Sequence, residues 1–430
     1  MSRAYYCTVK ELNERGKDNI PDQFKSNMHL IYSSPATLAF NSPGAEGFGV
    51  KRAGLAVPDS IMLIVAPGCC GRNTSLISSM REYDNRFFYL MMDETDIVTG
   101  RHLKKIPKAV AEICEGLEKK PSVVMICITC VDALLGTDMD RVCRKAEEKA
   151  GIPVRPCYMY ALTREGRKPP MVHVRQSLYS LLKPAKKKGN VVNLLGFFSP
   201  LVDDCELYDL LHSAGIRTIH EISRCKDFEE YKTMSEANFN LVLHQESRFA
   251  AEDFNDRLNI PFIELRRLYQ TDKIQNQYQA LASVLGVSFE LGEYQKAAEQ
   301  AVEDFRKVCP EASFAVGECM NGDPFELALA LLKYGFKVPE IYGTITVENF
   351  VYMKQLALLS PETKVFSNME PTMIYYDPAQ SGVNITIGKD ALYYHQDCPG
   401  VMWNQDGQPY GFVGVRRLFE ALGECLENNK

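Results

Sequence analysis

Cys69 and Cys70 stand together between Gly68 and Gly71, and Cys130 follows Thr129. Each position comes just after a short apolar run, Ser60–Val65 in one case and Ser122–Ile128 in the other. Such runs read as buried strands, and loops at strand ends expose backbone N–H groups. Thiolates in loops of this kind can hold an iron–sulfur cluster, whose sulfurs accept hydrogen bonds from those amides. The flanking glycines let the backbone approach a bulky ligand. Spacing alone does not decide the matter. There is no paired CxxC array, and adjacent cysteines are not a zinc spacing. Two buried thiols and one surface thiol would be the plainer reading. The chain carries 14 cysteines. A reducing compartment argues against a disulfide framework, and Cys114 and Cys127 read as small buried hydrophobes.

Other residues with chemical potential also follow apolar runs. His244 ends the run Asn240–Leu243 and opens His244-Gln245-Glu246-Ser247. It is either a hydrogen-bonded structural histidine or a ligand or proton donor. Arg248 is either a salt-bridged surface residue or a clamp for a substrate carboxylate. Glu246 and Glu318 would be acids with raised pKa if they faced a shared cleft. His395-Gln396-Asp397-Cys398 offers metal-ligand types without metal-ligand spacing. Asp323-Pro324 reads as a helix N-cap followed by an N1 proline. Tyr375-Tyr376 and Tyr393-Tyr394 read as strand core.

These residues must be positioned by a larger frame. Further runs at Val191–Phe197 and Ser313–Val316 continue the pattern of an apolar strand, a polar loop and then a helix. Helices are expected near Val131–Ala150, Leu201–Ser213, Pro324–Tyr334 and Val415–Asn428, with one long helical pattern from Asp272 to Lys307. The alternation predicts an α/β fold of three doubly wound, parallel-sheet, Rossmann-like units around a central cleft. The first unit is 1–187, the cluster-binding domain; the second is 188–309 and the third 310–395. Residues 396–430 form a tail and final helix. The stretch Pro184–Asn190 reads as a linker, and Cys309-Pro310 ends the long helical pattern.

A chain of 430 residues suits several domains. Its 49 basic and 55 acidic residues leave a net charge of −6. That balance does not favour nucleic-acid or anionic-membrane partners, and Lys186-Lys187-Lys188 reads as a solvated run. The first residues lack the apolar region of a signal peptide, and no apolar run reaches about 18 residues. The expectation is a cytoplasmic protein. No GxGxxG or Walker A sequence is present, so ATP binding by this chain itself is not expected.

The segment Ile128-Thr129-Cys130-Val131-Asp132-Ala133-Leu134-Leu135-Gly136-Thr137-Asp138 resembles the Thr-Cys…Ile-Gly-Asp-Asp loop of nitrogenase component 1 subunits. Val65-Ala66-Pro67-Gly68-Cys69 resembles that family's His-Gly-x-x-Gly-Cys loop. Leu195-Gly196-Phe197, Ala214-Gly215-Ile216, Asn240-Leu241-Val242 and Ile260-Pro261-Phe262 resemble its second domain. Gly317, Gly335 and the stretch from Trp403 to Pro409-Tyr410-Gly411 resemble its third. The resemblance implies that Cys69 and Cys130 are cluster ligands, with Cys70 as an alternative or additional one. In the family a first cysteine is expected where this chain has Asn41-Ser42-Pro43-Gly44-Ala45, so Ser42 replaces it. A complete eight-iron P-cluster is therefore not implied. Two thiolates from each of two facing subunits, identical or sister chains, would instead hold a 4Fe–4S cluster. The family's active-site cofactor uses one cysteine and one histidine; here His244 and Gly411 occupy those places, so a standard molybdenum–iron cofactor is not expected.

By the same resemblance, a substrate pocket would be lined by His244, Gln245, Glu246, Arg248, Glu318, Asn321 and His395, with His244 or Glu246 as proton donor. The implied role is the catalytic component of a two-component reductase, fed electrons by an ATP-dependent iron–sulfur reductase. The alternative is a non-catalytic scaffold on which a metal cluster is assembled before transfer.

Overall fold

The computed structural model describes residues 3–25, 50–68, 83–129, 131, 135–158 and 170–428. Among them, the continuous aliphatic runs form strands buried along their whole length, because helices cover both faces of a parallel sheet. Strand β1 is Tyr6–Thr8. The first parallel sheet contains β2 (Ile61–Ala66), β3 (Phe87–Met91), β4 (Val124–Ile128) and β5 (Val154–Tyr158), in the order β3-β2-β4-β5. The second contains β6 (Lys188–Leu195), β7 (Thr218–His220), β8 (Ala237–Val242) and β9 (Phe262–Glu264), in the order β7-β6-β8-β9. The third contains β10 (Ser313–Val316), β11 (Lys337–Tyr342), β12 (Lys364–Phe366), β13 (Ile385–Ile387) and β14 (Gly400–Val401). Its order is β1-β12-β11-β10-β13-β14, and only β1 runs antiparallel to its neighbour.

Each sheet winds in both directions from an inner strand. The chain leaves β2 to one side for β3, then crosses to β4; it leaves β6 for β7, then crosses to β8. In the third sheet it leaves β10 for β11 and β12, then crosses to β13. In open α/β sheets, ligands bind outside the carboxyl ends of the strands at these reversals. The chain thus has three such positions: beyond Ala66 and Ile128, beyond Leu195 and Val242, and beyond Val316 and Ile387.

The described residues fall into two compact units. One comprises Gly47–Pro200 and Ile216–Leu265, with the first two sheets; the other comprises Met1–Glu46, Leu201–Gly215 and Arg266–Lys430, with the third. In the first of these, a single core joins Met62, Met125 and Cys127 to Leu178, Leu195, Val242 and Phe254. A second core packs Cys114 with Ile106, Val110 and Val142. Both Cys114 and Cys127 are therefore apolar filling, as their sequence context suggests. In the other unit, Phe305, Phe314, Phe336 and Phe419 pack ring against ring, tying the C-terminal helix Gly411–Asn428 to the third sheet.

Two expectations are corrected. The long helical pattern is two helices, Thr271–Leu285 and Gly292–Val308. The break comes at Gly286, whose φ of 69° is the left-handed conformation that closes a helix. The tyrosine pairs are not in strands. Tyr375 ends a 3₁₀ turn, Pro371–Tyr375, and Tyr393 and Tyr394 lie on the helix Lys389–Tyr394. Asp323 does cap the helix Pro324–Lys333, its carboxylate accepting from the Phe325 and Glu326 amides. No helix among the described residues is long and apolar enough to cross a membrane.

Candidate functional site

Cys69, Cys70, Cys130 and Ser42 lie outside the described residues. The stems that lead to the three cysteines do not. Val65 and Ile128 are register partners on adjacent parallel strands, so Pro67-Gly68 and Thr129 leave the same edge of the first sheet. The Tyr89 hydroxyl donates to the Ala66 carbonyl (3.0 Å) and to that of Pro67, which ties the first stem to the neighbouring strand β3.

His244, Gln245, Glu246 and Arg248 come together beyond β8. Gln245–Ser247 form a 3₁₀ turn that runs into the helix Arg248–Leu258. The His244 Nδ1 accepts from the Glu246 amide (3.3 Å), and its ring meets Phe197 edge-on at 6.1 Å. The histidine thus caps its own turn while its side chain stays partly exposed, so it keeps both structural and ligand capacity. Arg175, on the helix Pro170–Tyr179, is 1% exposed; its Nη1 donates to Glu246 Oε2 (2.7 Å) and its Nε to Ser247 Oγ (3.1 Å). Its guanidinium lies over the Phe198 ring at 4.6 Å. Burial pulls the Arg175 pKa down and the Glu246 charge opposes that pull. Ser247 Oγ donates to the Gly196 carbonyl (2.9 Å), so the loops after β6 and β8 are linked. Glu246 is therefore the anionic anchor of a buried arginine. Arg248 pairs at the surface with Glu264 (3.0 Å), the bland alternative among its two readings. Arg175 has no sequence signature: its partner lies 71 residues away.

In the other unit, Glu318 follows β10. Its carboxylate accepts from the Thr344 amide (2.7 Å) and from Asn368 Nδ2 (3.1 Å). The same Asn368 Nδ2 donates to Asp390 (2.6 Å), which also accepts from the amides of Glu318 (2.9 Å) and Cys319 (3.2 Å). Burial, and then the neighbouring Asp390 charge, push the Glu318 pKa up; burial does the same to Asp390. Two buried carboxylates bound to one amide at a strand-order reversal disfavour each other's charge, which favours protonation at this place. Asn321 is 6% exposed and occupied by its neighbours: its Nδ2 donates to the Gln405 carbonyl (3.1 Å) and Gln408 Oε1 (3.3 Å). His395 is 2% exposed, with Nε2 at 2.9 Å from the Tyr376 hydroxyl and 3.1 Å from Glu340 Oε2. It belongs to a buried network and does not line an open strand end. Among the described residues, no three His, Cys, Asp or Glu side chains converge as a metal site.

Gly411 starts the C-terminal helix with φ of 60°. Glu206, 0% exposed, fills the space beside it. Its Oε1 accepts from the Phe412 amide (2.6 Å) and the Tyr278 hydroxyl (2.9 Å), and its Oε2 from the Val413 amide (3.2 Å). A carboxylate thus sits on the positive end of that helix. A Cβ at position 411 would lie 1.8 Å from Glu206 Oε1 and 2.3 Å from the Tyr278 hydroxyl. A side chain there is strained by the backbone and requires the Glu206 carboxylate to move.

A family model of nitrogenase component 1 type oxidoreductases matches residues 46–414. Relatives include the nitrogenase iron-molybdenum cofactor biosynthesis protein NifE of Sinorhizobium fredii, 24% identical over 423 residues, covering 92% of this chain and 84% of that protein. NifE of Nostoc sp. is 25% identical over 283 residues, 64% of this chain and 58% of that protein. NifE of Rhizobium meliloti is 28% identical over 240 residues, 54% and 50% respectively. In the last two comparisons the chain spans about half the length of the relative. The fold is similar to that of nitrogenase Cp1 at pH 6.5, with a TM-score of 0.72, 16% identity and 93% of each chain covered.

Proposed function

This chain belongs to the family of nitrogenase component 1 type oxidoreductases, and we propose that it serves as a scaffold on which a metal–sulfur cluster is assembled and from which it is passed on. The observation that carries this reading is the likeness, over most of the chain, to a NifE cofactor biosynthesis protein, and the crowded position 411 agrees with it. A member that holds the standard molybdenum–iron cofactor uses an imidazole there, and Glu206 with Tyr278 takes its room. A scaffold needs weaker, reversible attachment. His244 suits that role, because Nδ1 is engaged by its own turn while the rest of the ring is partly exposed. The relatives named as cofactor biosynthesis proteins support the same reading. They move the weight from the reductase expected on resemblance to the scaffold that stood as its alternative.

In this proposal a resident iron–sulfur cluster is held by Cys69 and Cys130 of each of two facing subunits, identical or sister chains, with Cys70 as an alternative or additional ligand. Such a 4Fe–4S cluster would accept and relay single electrons. The stems set by the Val65–Ile128 register and by Tyr89 would present those thiolates at one edge of the sheet. The cluster under construction is the cargo, met by His244 at the second sheet. Arg175 holds that loop through Glu246 and Ser247. An ATP-dependent iron–sulfur reductase is the proposed electron donor. The test is anaerobic incubation of the purified protein with that reductase, ATP and reducible substrates. Electron consumption that stops after the protein's own clusters are reduced agrees with a scaffold. Sustained consumption coupled to substrate reduction contradicts it.

A further inference from the structure

Arg267 lies just beyond β9, in the unit of the third sheet, and its surroundings are short of one anion. Its Nη2 donates to Gln408 Oε1 (2.7 Å). Its Nε is sealed from solvent and has no partner, and no carboxylate pairs with the side chain among the described residues. A guanidinium has five N–H donors, and here one is used. The polar groups around it are engaged with one another. Gln408 Nε2 is spent on the carbonyls of Gln405 (3.0 Å) and Asp406 (2.9 Å). Asn321 Nδ2 is spent on Gln405 and Gln408, and its Oδ1 accepts from the Gln405 amide (2.6 Å). The Tyr410 hydroxyl donates to the Arg266 carbonyl (3.0 Å), and that of Tyr269 to the Asn321 carbonyl.

Arg267 is half-buried, and a cation whose Nε is sealed from solvent with no counter-charge carries a desolvation cost that an anion would offset. The neighbours that raise its pKa are Tyr269, Tyr410 and Cys205, none of them a carboxylate, and burial lowers it. The fork is also held in place. Gln408 is pinned by its own backbone, whose carbonyl accepts from the Val202 amide (3.1 Å). A planar fork of fixed orientation, only partly buried and with free N–H groups, matches the paired oxygens of a carboxylate or phosphate.

We propose that Arg267, oriented by Gln408, is the anchor of a binding site for a small oxyanionic ligand. The site goes beyond the scaffold reading and does not depend on the cysteines. It is tested on the full-length protein by titration calorimetry at fixed ionic strength in chloride, with citrate in one arm and inorganic phosphate in the other. One saturable site is expected in at least one arm, and the arm identifies the class as carboxylate or phosphate. Arg267→Gln should weaken that binding at least about tenfold, the loss expected when a charge-assisted pair is removed. Arg267→Lys should fall between the two, because an ammonium lacks the fork. Melting curves show whether each variant is folded. If Arg267→Gln does not fold, Arg267→Lys decides: weaker binding supports the site, and affinity equal to wild type overturns it. Absence of saturable binding of either anion to the wild type also overturns it, as does unchanged affinity in a folded Arg267→Gln protein.

Discussion

Replacing Gly411 by alanine adds one methyl group, and the structure predicts an effect far larger than that methyl would have on a surface helix. The backbone has φ of 60°, where a residue with a Cβ loses about 1–2 kcal/mol. The new Cβ would also lie 1.8 Å from Glu206 Oε1, so the carboxylate must leave. That oxygen accepts from the Phe412 amide at 2.6 Å and from the Tyr278 hydroxyl at 2.9 Å. Hydrogen bonds to a charged group contribute about 1.5–3 kcal/mol each. Loss of both, with the backbone term, gives roughly 4–8 kcal/mol, comparable to the whole stability of an ordinary domain. The assay is urea unfolding of wild type, Gly411→Ala, Glu206→Ala and the double variant. Removing the carboxylate removes the clash, so the double variant should lose clearly less than the sum of the single losses. A Gly411→Ala protein within about 1 kcal/mol of wild type would refute the claim that Glu206 closes this position.

Three further outcomes follow from buried charges. Glu326 accepts from the Tyr269 amide (2.9 Å) and the Gln270 amide (3.3 Å), and burial pushes its pKa up to about 7. The folded chain holds that proton more tightly than the unfolded one, so this stabilisation is full below pH 4.5 and is lost as pH rises through 7. The thermal midpoint of Glu326→Gln should consequently change less than wild type between pH 5 and pH 8, and an equal change would contradict the assignment. Asp96 runs the other way: hydrogen bonds from Lys105 (2.6 Å) and Arg101 (2.7 Å) hold its pKa well below the carboxylate range. Its contribution is present above the unfolded value of about 4 and fades as pH falls through the depressed folded value. Asp96→Asn should melt earlier at pH 7, with the gap to wild type narrowing in acid. Arg175→Ala removes a cation that is 1% exposed and leaves Glu246, which is about one-third exposed, without its partner. Because water screens Glu246, the cost should be about 2–3 kcal/mol, below that of a fully buried pair, measured by urea midpoint.

The parallel strands were legible because a strand covered on both faces is an unbroken apolar run: Ser313–Val316 is read and observed with the same ends. The amphipathic pattern from Asp272 runs unbroken past Gly286, and the left-handed glycine, the usual helix stop, divides it into two helices. Tyr393 and Tyr394 carried β propensity, but they sit on a short helix where Tyr394 stacks on Tyr342 at 5.1 Å, so tertiary packing set the outcome. The loop at His244 could be found because it ends an apolar run. Arg175, Glu206 and Arg267 could not, because each meets a defining polar partner (Glu246, Val413 and Gln408) across 71, 207 and 141 residues, separations that no local pattern encodes.

A scaffold must both build a cluster and release it. The most direct measurement is iron transfer: the protein is loaded anaerobically with labelled iron and sulfide, mixed with a metal-free acceptor of the same family, separated, and both fractions counted. Label should leave this chain and appear on the acceptor as an intact cluster, and Cys130→Ala should load less iron at the outset. Label that stays with this chain through repeated rounds of ATP-dependent substrate reduction would contradict a scaffold role.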